Sequence, residues 1–103
     1  MAYSLVISER ASHQIDEIIG YVALELGNPS AARSILNDIE KAYGRLSFMA
    51  ESTPLCRDIH LARRGYRKCI LDHHDYVILY LVKGEEVRIS GVFHMREAYS
   101  KKL

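Results

Sequence analysis

Two stretches of apolar residues with helical spacing, separated by a Gly-Asn-Pro turn at residues 27–29, place the tightest limit on how this chain can fold. In the first stretch, apolar side chains recur every three or four positions, at Ala11, Ile15, Ile18, Val22 and Leu26. The second stretch repeats this spacing at Ala32, Ile35, Ile39, Ala42, Leu46 and Met49. Two amphipathic helices joined by so short a turn run antiparallel, so residues 8–50 are predicted to form a helical hairpin.

The residues at the ends of these stretches have the chemistry of helix caps. Ser8 can accept the N–H groups of a first turn, and Gly27 suits the left-handed conformation that often follows a last turn. Asn28 can cap the second helix, and Pro29 suits its first position because that N–H has no partner within the helix. We therefore expect the first helix to end at Leu26.

The remaining apolar segments have the composition of strands, and they are Tyr3–Ile7, Tyr66–Leu71, Tyr76–Val82 and Val87–Phe93. Tyr76–Val82 is apolar at nearly every position, so we expect it at the centre of a sheet with both faces covered. Between Leu55 and Arg64 the pattern is weaker and allows a loop with a short strand at Ile59–Leu61. The order β-α-α-β-β-β predicts an α+β fold, in which the helical hairpin packs on one face of a small, largely antiparallel sheet.

Composition excludes several classes of protein. The 103 residues are 49% hydrophobic and 26% charged, which is typical of one globular domain over residues 1–103 and excludes disordered and collagen-like chains. No apolar run approaches the ~18–20 residues of a spanning helix, so no membrane partner is expected. The first residues lack the regions of a signal peptide. Two cysteines, Cys56 and Cys69, are too few for a disulfide framework, so we expect a reducing, cytoplasmic location.

Charge is divided unevenly along the chain. Residues 1–56 carry four basic and seven acidic side chains, a net charge of −3. Residues 57–103 carry ten basic and six acidic side chains, a net charge of +4. A basic second half favours an anionic partner, which is either a nucleic acid or an acidic protein segment.

Four motifs in the second half resemble the RelE/ParE superfamily, and they are Gly65-Tyr66-Arg67, Tyr76-Val77-Ile78-Leu79-Tyr80, Val87-Arg88-Ile89 and His94-Met95-Arg96-Glu97-Ala98-Tyr99. The resemblance covers nearly the whole chain and includes the opening strand and the helix that begins at Pro29. Members of this superfamily are the toxins of bacterial type II toxin–antitoxin operons.

The resemblance implies a small cytoplasmic toxin that a cognate antitoxin keeps silent, and it leaves two toxic activities open. RelE-like members enter the ribosomal A site and cut mRNA, so their partners are the ribosome and mRNA. ParE-like members poison DNA gyrase and cut nothing. Because the two groups share one fold, the fold does not decide between these activities.

For mRNA cleavage, the resemblance assigns roles to a strand arginine and to the C-terminal tail. Attack of a 2′-hydroxyl on the adjacent phosphate needs a base, a cation at the phosphate and an acid for the leaving oxygen, and it needs no metal or cofactor. Arg67 would grip the phosphate and Arg96 would orient it. His94 would exchange a proton, and Tyr99 would stack on a base or assist that transfer.

A second set of basic residues is expected to contact RNA phosphates or, equally, an acidic antitoxin segment, and it comprises His60, Arg63, Arg64, Lys68, Lys101 and Lys102. RelE-like toxins carry lysines before the strand arginine, whereas this chain has arginines, His60 and a single Lys68. The lack of a lysine general base argues against efficient cleavage.

We expect no metal site in this sequence. His73 and His74 lie between Asp72 and Asp75 in one tight turn, where neighbouring side chains point apart. Cys56 has no suitable cysteine or histidine spacing around it.

Three functions therefore remain open at this point. Cleavage of mRNA ranks first because of Arg67 and the His94–Tyr99 tail. Gyrase inhibition without catalysis is the alternative, supported by the regular helical hairpin and the missing lysines. A binding module that has the toxin fold but no toxicity is the third.

Overall fold

A computed structural model describes residues 2–103 and contains one mixed sheet with the strand order β1-β4-β3-β2. The strands are β1 (Ser4–Ile7), β2 (Arg67–Ile70), β3 (Tyr76–Lys83) and β4 (Glu86–His94). β1 runs parallel to β4, and the other two neighbouring pairs are antiparallel. The predicted α+β fold with a largely antiparallel sheet is confirmed.

The helical hairpin consists of α1 (Glu9–Gly20), a π-helical turn (Tyr21–Glu25) and α2 (Pro29–Met49). The predicted caps are present: Ser8 accepts the N–H of Ala11 at 3.1 Å, and Asn28 accepts that of Ala31 at the same distance. Gly27 has the left-handed φ of 60° that its position after a helix requires.

The end of the first helix differs from the prediction. The α-helix stops at Gly20, and in the π turn the N–H of Leu26 bonds to the carbonyl of Tyr21, five residues back, at 3.0 Å. Wider turns break the 3.6-residue spacing on which the apolar stripe depends. Leu26 therefore leaves the core and is 60% exposed.

Each face of the sheet has its own apolar core. The helix-side core lies under the hairpin and includes Ile35, Ile39, Leu46, Ile78 and Tyr80. The opposite core comprises Cys56, Leu61, Tyr66, Val77, Leu79 and Phe93. Four successive residues of β3, 77–80, are buried, which confirms the prediction of a central strand covered on both faces.

The segment at Ile59–Leu61 is a helix, so the suggested strand was wrong. It belongs to α3 (Ile59–Arg63), and the Asp58 carboxylate accepts the N–H groups of His60 at 2.9 Å and Leu61 at 3.2 Å. This cap satisfies the start of the helix, and one turn is enough to bury Leu61 in the opposite core. No helix within residues 2–103 combines the length and apolar character needed to cross a membrane.

Candidate functional site

Arg67 and His94, the two residues expected to act on one phosphate, lie on different strands at opposite ends of β3. Arg67 pairs with Tyr80 and His94 pairs with Tyr76. Four residues along a strand span about 13 Å and two strand spacings add about 10 Å sideways, so the two Cα atoms are about 16 Å apart. Their side chains also have separate partners.

The Arg67 guanidinium is engaged by the backbone that follows α2. Its Nη1 donates to the carbonyl oxygen of Thr53, and the carbonyl oxygen of Glu51 lies 3.4 Å away. The hydroxyl of Tyr80 donates to the carbonyl of Ala50 at 2.7 Å and also bonds to the Thr53 hydroxyl. Arg67 and Tyr80 together hold residues 50–53 against the end of the sheet.

His94 is the last residue of β4, and its backbone and side chain both form hydrogen bonds within the turn that follows. Its Nδ1 accepts the N–H of Arg96 at 3.2 Å, and its own backbone N–H donates to Glu97 Oε1 at 2.9 Å. The imidazole packs edge-on against Tyr76, with ring centroids 5.4 Å apart. Lys102 pairs with Glu97 at 2.6 Å, and this contact is the main reason that the pKa of Glu97 is lowered.

Tyr99 lies on the other side of the sheet from His94. Its ring stacks on Phe93 with centroids 5.8 Å apart, and it packs against the opposite core. Side chains alternate along a strand, so Phe93 and His94 point to opposite faces. Arg96 and Lys101 are exposed beside this tail.

The other predicted binding residues gather around α3. His60 and Arg63 are exposed on this helix. Arg64 donates to the carbonyl of Leu103 at 2.8 Å and lies over the Tyr66 ring at 5.0 Å. Lys68 lies on the same side, because it follows Arg67 in β2 and strand neighbours alternate.

Asp38, whose carboxylate is buried on α2, was not among the functional residues predicted from the sequence. Its Oδ2 accepts the N–H of His73 at 2.9 Å and lies 4.0 Å from Nδ1 of His74, so it anchors the β2–β3 turn. Its position between Ile35 and Ile39 on an apolar helix face was the available signal. Within residues 2–103 no three His, Cys, Asp or Glu side chains are placed to hold a metal ion.

Two surface cavities each include one of the predicted residues. A cavity of about 380 Å³ includes Arg67 together with Glu51 and Gly84. Another, of about 500 Å³, lies along α1 and reaches Lys102. The predicted catalytic residues lie in three separate places. Arg67 is at the start of β2 beside the segment that follows α2, and His94 and Arg96 are in the turn after β4. Tyr99 packs against the opposite core.

Comparison with known proteins identifies the family. The profile described as "ParE toxin of type II toxin-antitoxin system, parDE" matches residues 5–99. The chain belongs to the ParE toxin family. A cognate antitoxin is therefore an implied partner, and the resemblance to the RelE/ParE superfamily is confirmed.

A solved structure supports the same fold for this ParE-family chain. A chain from "Chromosomal ParDE TA system from P. aeruginosa" superposes with a TM-score of 0.76 at 21% sequence identity. The match covers 92% of this chain and 98% of that one. No curated protein sequence matches.

Proposed function

We propose that this ParE-family toxin arrests growth by binding DNA gyrase and not by cutting mRNA. The observation that carries the proposal is the separation of the residues that cleavage would require. This reverses the order of the sequence-based hypotheses, in which cleavage ranked first.

Cleavage needs a base, a cation and an acid around one phosphate, each within about 2.6–3.2 Å of the atom on which it acts. Arg67 is held by the carbonyls after α2, and His94 uses Nδ1 to accept the N–H of Arg96. Tyr99 stacks on Phe93 on the other face of the sheet. Inhibition by binding has no such requirement, because a complementary surface on a rigid fold is sufficient.

Membership of the ParE family supports the proposal independently of this geometry. The family match extends over nearly the whole chain, from residue 5 to residue 99. The toxins that this family name denotes are the ones that act on gyrase, whereas mRNA cleavage belongs to the RelE-like branch of the superfamily.

Two assays with the purified protein test the proposal directly. In the first, gyrase, ATP and relaxed plasmid are incubated with the protein, and we expect supercoiling to be lost as the protein is added. In the second, a translating extract is supplied with a defined mRNA, and primer extension should find the message intact. Intact supercoiling together with cuts in the mRNA would reject gyrase as the target.

Variants of the tail separate the two activities in cells. His94→Gln and Arg96→Ala remove the groups that cleavage would use, and both lie outside the two cores. We expect the double variant, folded by circular dichroism, to arrest growth and induce the SOS response as the wild type does. Loss of growth arrest with retained antitoxin binding would favour the nuclease.

A further inference from the structure

The far end of the helical hairpin exposes three large apolar side chains. We call residues 21–26 the hairpin tip. Tyr21 is 51% exposed, Leu24 is 82% exposed and Leu26 is 60% exposed. They lie within six residues of one another, and of the large side chains between them only Val22 packs against the helix-side core.

The tip has a defined backbone conformation. The π turn is closed by the bond from the N–H of Leu26 to Tyr21, and the N–H of Asn28 bonds to the carbonyl of Val22 at 3.0 Å. π turns within helices occur frequently at functional sites, and clustered apolar exposure marks an interaction surface. An ordinary α-helical turn would have continued the apolar stripe toward the core.

The charge around the tip selects the kind of partner. Glu25 is exposed in the tip, which contains no base and therefore carries a net charge of −1, and Asp16 is exposed just before it. Glu17 lies beside His13 and lines a cavity with Lys102 instead. Residues 57–103 carry a net charge of +4. The tip therefore repels nucleic acid and complements a basic protein surface.

We propose that the hairpin tip is the surface through which this toxin contacts gyrase, with its apolar side chains seated in a basic cleft of the kind that an enzyme uses to hold DNA. This inference rests on the proposed function. The exposed acids around the tip occupy the place of DNA phosphates, and the leucines and Tyr21 supply contacts that exclude water from the cleft.

Supercoiling assays with point variants test the surface. Leu24→Ser and Tyr21→Ser should each weaken gyrase inhibition by roughly 10- to 30-fold, the loss expected when a central interface side chain is truncated. Phe48→Ser is the matched control, because Phe48 is 66% exposed but lies in the last turn of α2, some 20 residues from the tip. It should inhibit as the wild type does.

A charge reversal tests the basic cleft. Glu25→Lys should weaken inhibition most at low salt, where charge interactions are least screened. Glu85→Lys, at an acid that is also exposed but lies in the β3–β4 turn, should have no such effect.

Other occupants of the tip would give different results. Antitoxin affinity and sedimentation should be the same for Leu24→Ser and wild type. If Leu24→Ser inhibits gyrase fully, or loses antitoxin binding or self-association instead, the tip contacts another partner. This inference is then overturned, while gyrase inhibition by the wild type stands. If wild type itself leaves supercoiling intact, the proposed function fails and this inference fails with it.

Discussion

At the scale of single residues, Arg67 shows how a side chain suited to binding phosphate is engaged by the protein's own backbone. Arg67 begins β2, and its guanidinium lies against the segment after α2, where Nη1 contacts the carbonyl oxygens of Glu51 and Thr53. The contact with Thr53 is half-buried, and it occupies Nη1, one of the donors that a phosphate would use.

Removing this side chain is expected to destabilise the fold. Arg67→Ala removes the hydrogen bond to the half-buried Thr53 carbonyl, so the free energy of unfolding should fall by about 0.5–1.5 kcal/mol. Urea denaturation measures this change. Arg63→Ala, at an exposed arginine on α3, is the control and should stay within about 0.5 kcal/mol of wild type. Equal stability of the two variants would mean that the carbonyl contacts contribute nothing.

Tyr43 gives a prediction about pH. Burial raises the pKa of its hydroxyl from 10.0 to about 12, and its Oη has no hydrogen-bond partner among the described residues. Above pH 10 the unfolded chain loses this proton while the folded chain keeps it, so stability is fully present below pH 10 and falls as the pH rises toward 12.

Tyr43→Phe should remove both the unpartnered buried hydroxyl and its ionisation at high pH. The variant should gain about 1 kcal/mol at pH 7, because an unpartnered buried hydroxyl is gone, and it should lose less stability than wild type between pH 10 and 12. Chemical denaturation at several pH values measures both. Tyr21→Phe, at an exposed tyrosine, should match wild type at pH 7. An unchanged alkaline slope in Tyr43→Phe would assign the pH effect to other groups.

At the scale of secondary-structure elements, β4 depends on one irregularity. The register passes from Leu79 opposite Gly91 to Tyr80 opposite Ile89, which leaves Ser90 as the extra residue of a β-bulge. Beside it, a Cβ at Gly91 would lie 2.9 Å from Cζ of Phe93 and still closer to Cε2 of the same ring. The strand therefore needs glycine at this position so that the fully buried Phe93 keeps its place.

Two glycine substitutions with opposite expected effects test this requirement. Gly91→Ala should destabilise the protein by about 1–3 kcal/mol, because the Phe93 ring must shift within the opposite core. Gly44→Ala, on α2 with no atom within 4 Å of the added carbon, should be neutral or stabilise by up to about 1 kcal/mol. Thermal or urea unfolding compares them; a Gly91→Ala variant as stable as Gly44→Ala would show that the ring yields freely.

At the scale of the whole molecule, the two halves carry opposite charge and present it on different elements. In the first half, Glu25 lies in the hairpin tip and Asp16 just before it, whereas His60, Arg63 and Arg64 lie on or next to α3 over the opposite core. Lys68 shares that side and Arg67 does not, so these two neighbouring basic residues of β2 do not form one surface.

The antitoxin is expected to cover this α3 side. Its affinity should fall as salt rises from low to moderate concentration, because exposed charge pairs are screened within about 10 Å at 0.1 M salt. Arg63→Glu should weaken binding and flatten that salt dependence. Arg33→Glu, the same charge change on the hairpin, should leave affinity near wild type. Isothermal titration at several salt concentrations measures these affinities. If neither salt nor Arg63→Glu changed the affinity, the antitoxin would bind elsewhere.

Local signals in the amino-acid sequence were sufficient to predict several elements of this fold. Helix periodicity, Ser8, Asn28 and Gly27 predicted the hairpin and both its caps, because capping and turn conformation depend on residues a few positions apart. The unbroken apolar run in β3 predicted a central strand, because such a run requires cover on both faces. The motifs of the second half indicated the superfamily.

Long-range packing and strand pairing set where the candidate catalytic side chains lie. The π turn exposes Leu26, the single turn at Ile59–Arg63 buries Leu61 in the opposite core, and Asp38 is buried against a turn 35 residues away in the sequence. Strand register places Arg67 and His94 at opposite ends of β3, and side-chain alternation places Tyr99 and His94 on different faces. Register and face are set by long-range pairing in three dimensions, so residues that suit one reaction in sequence occupy separate sites in the folded protein.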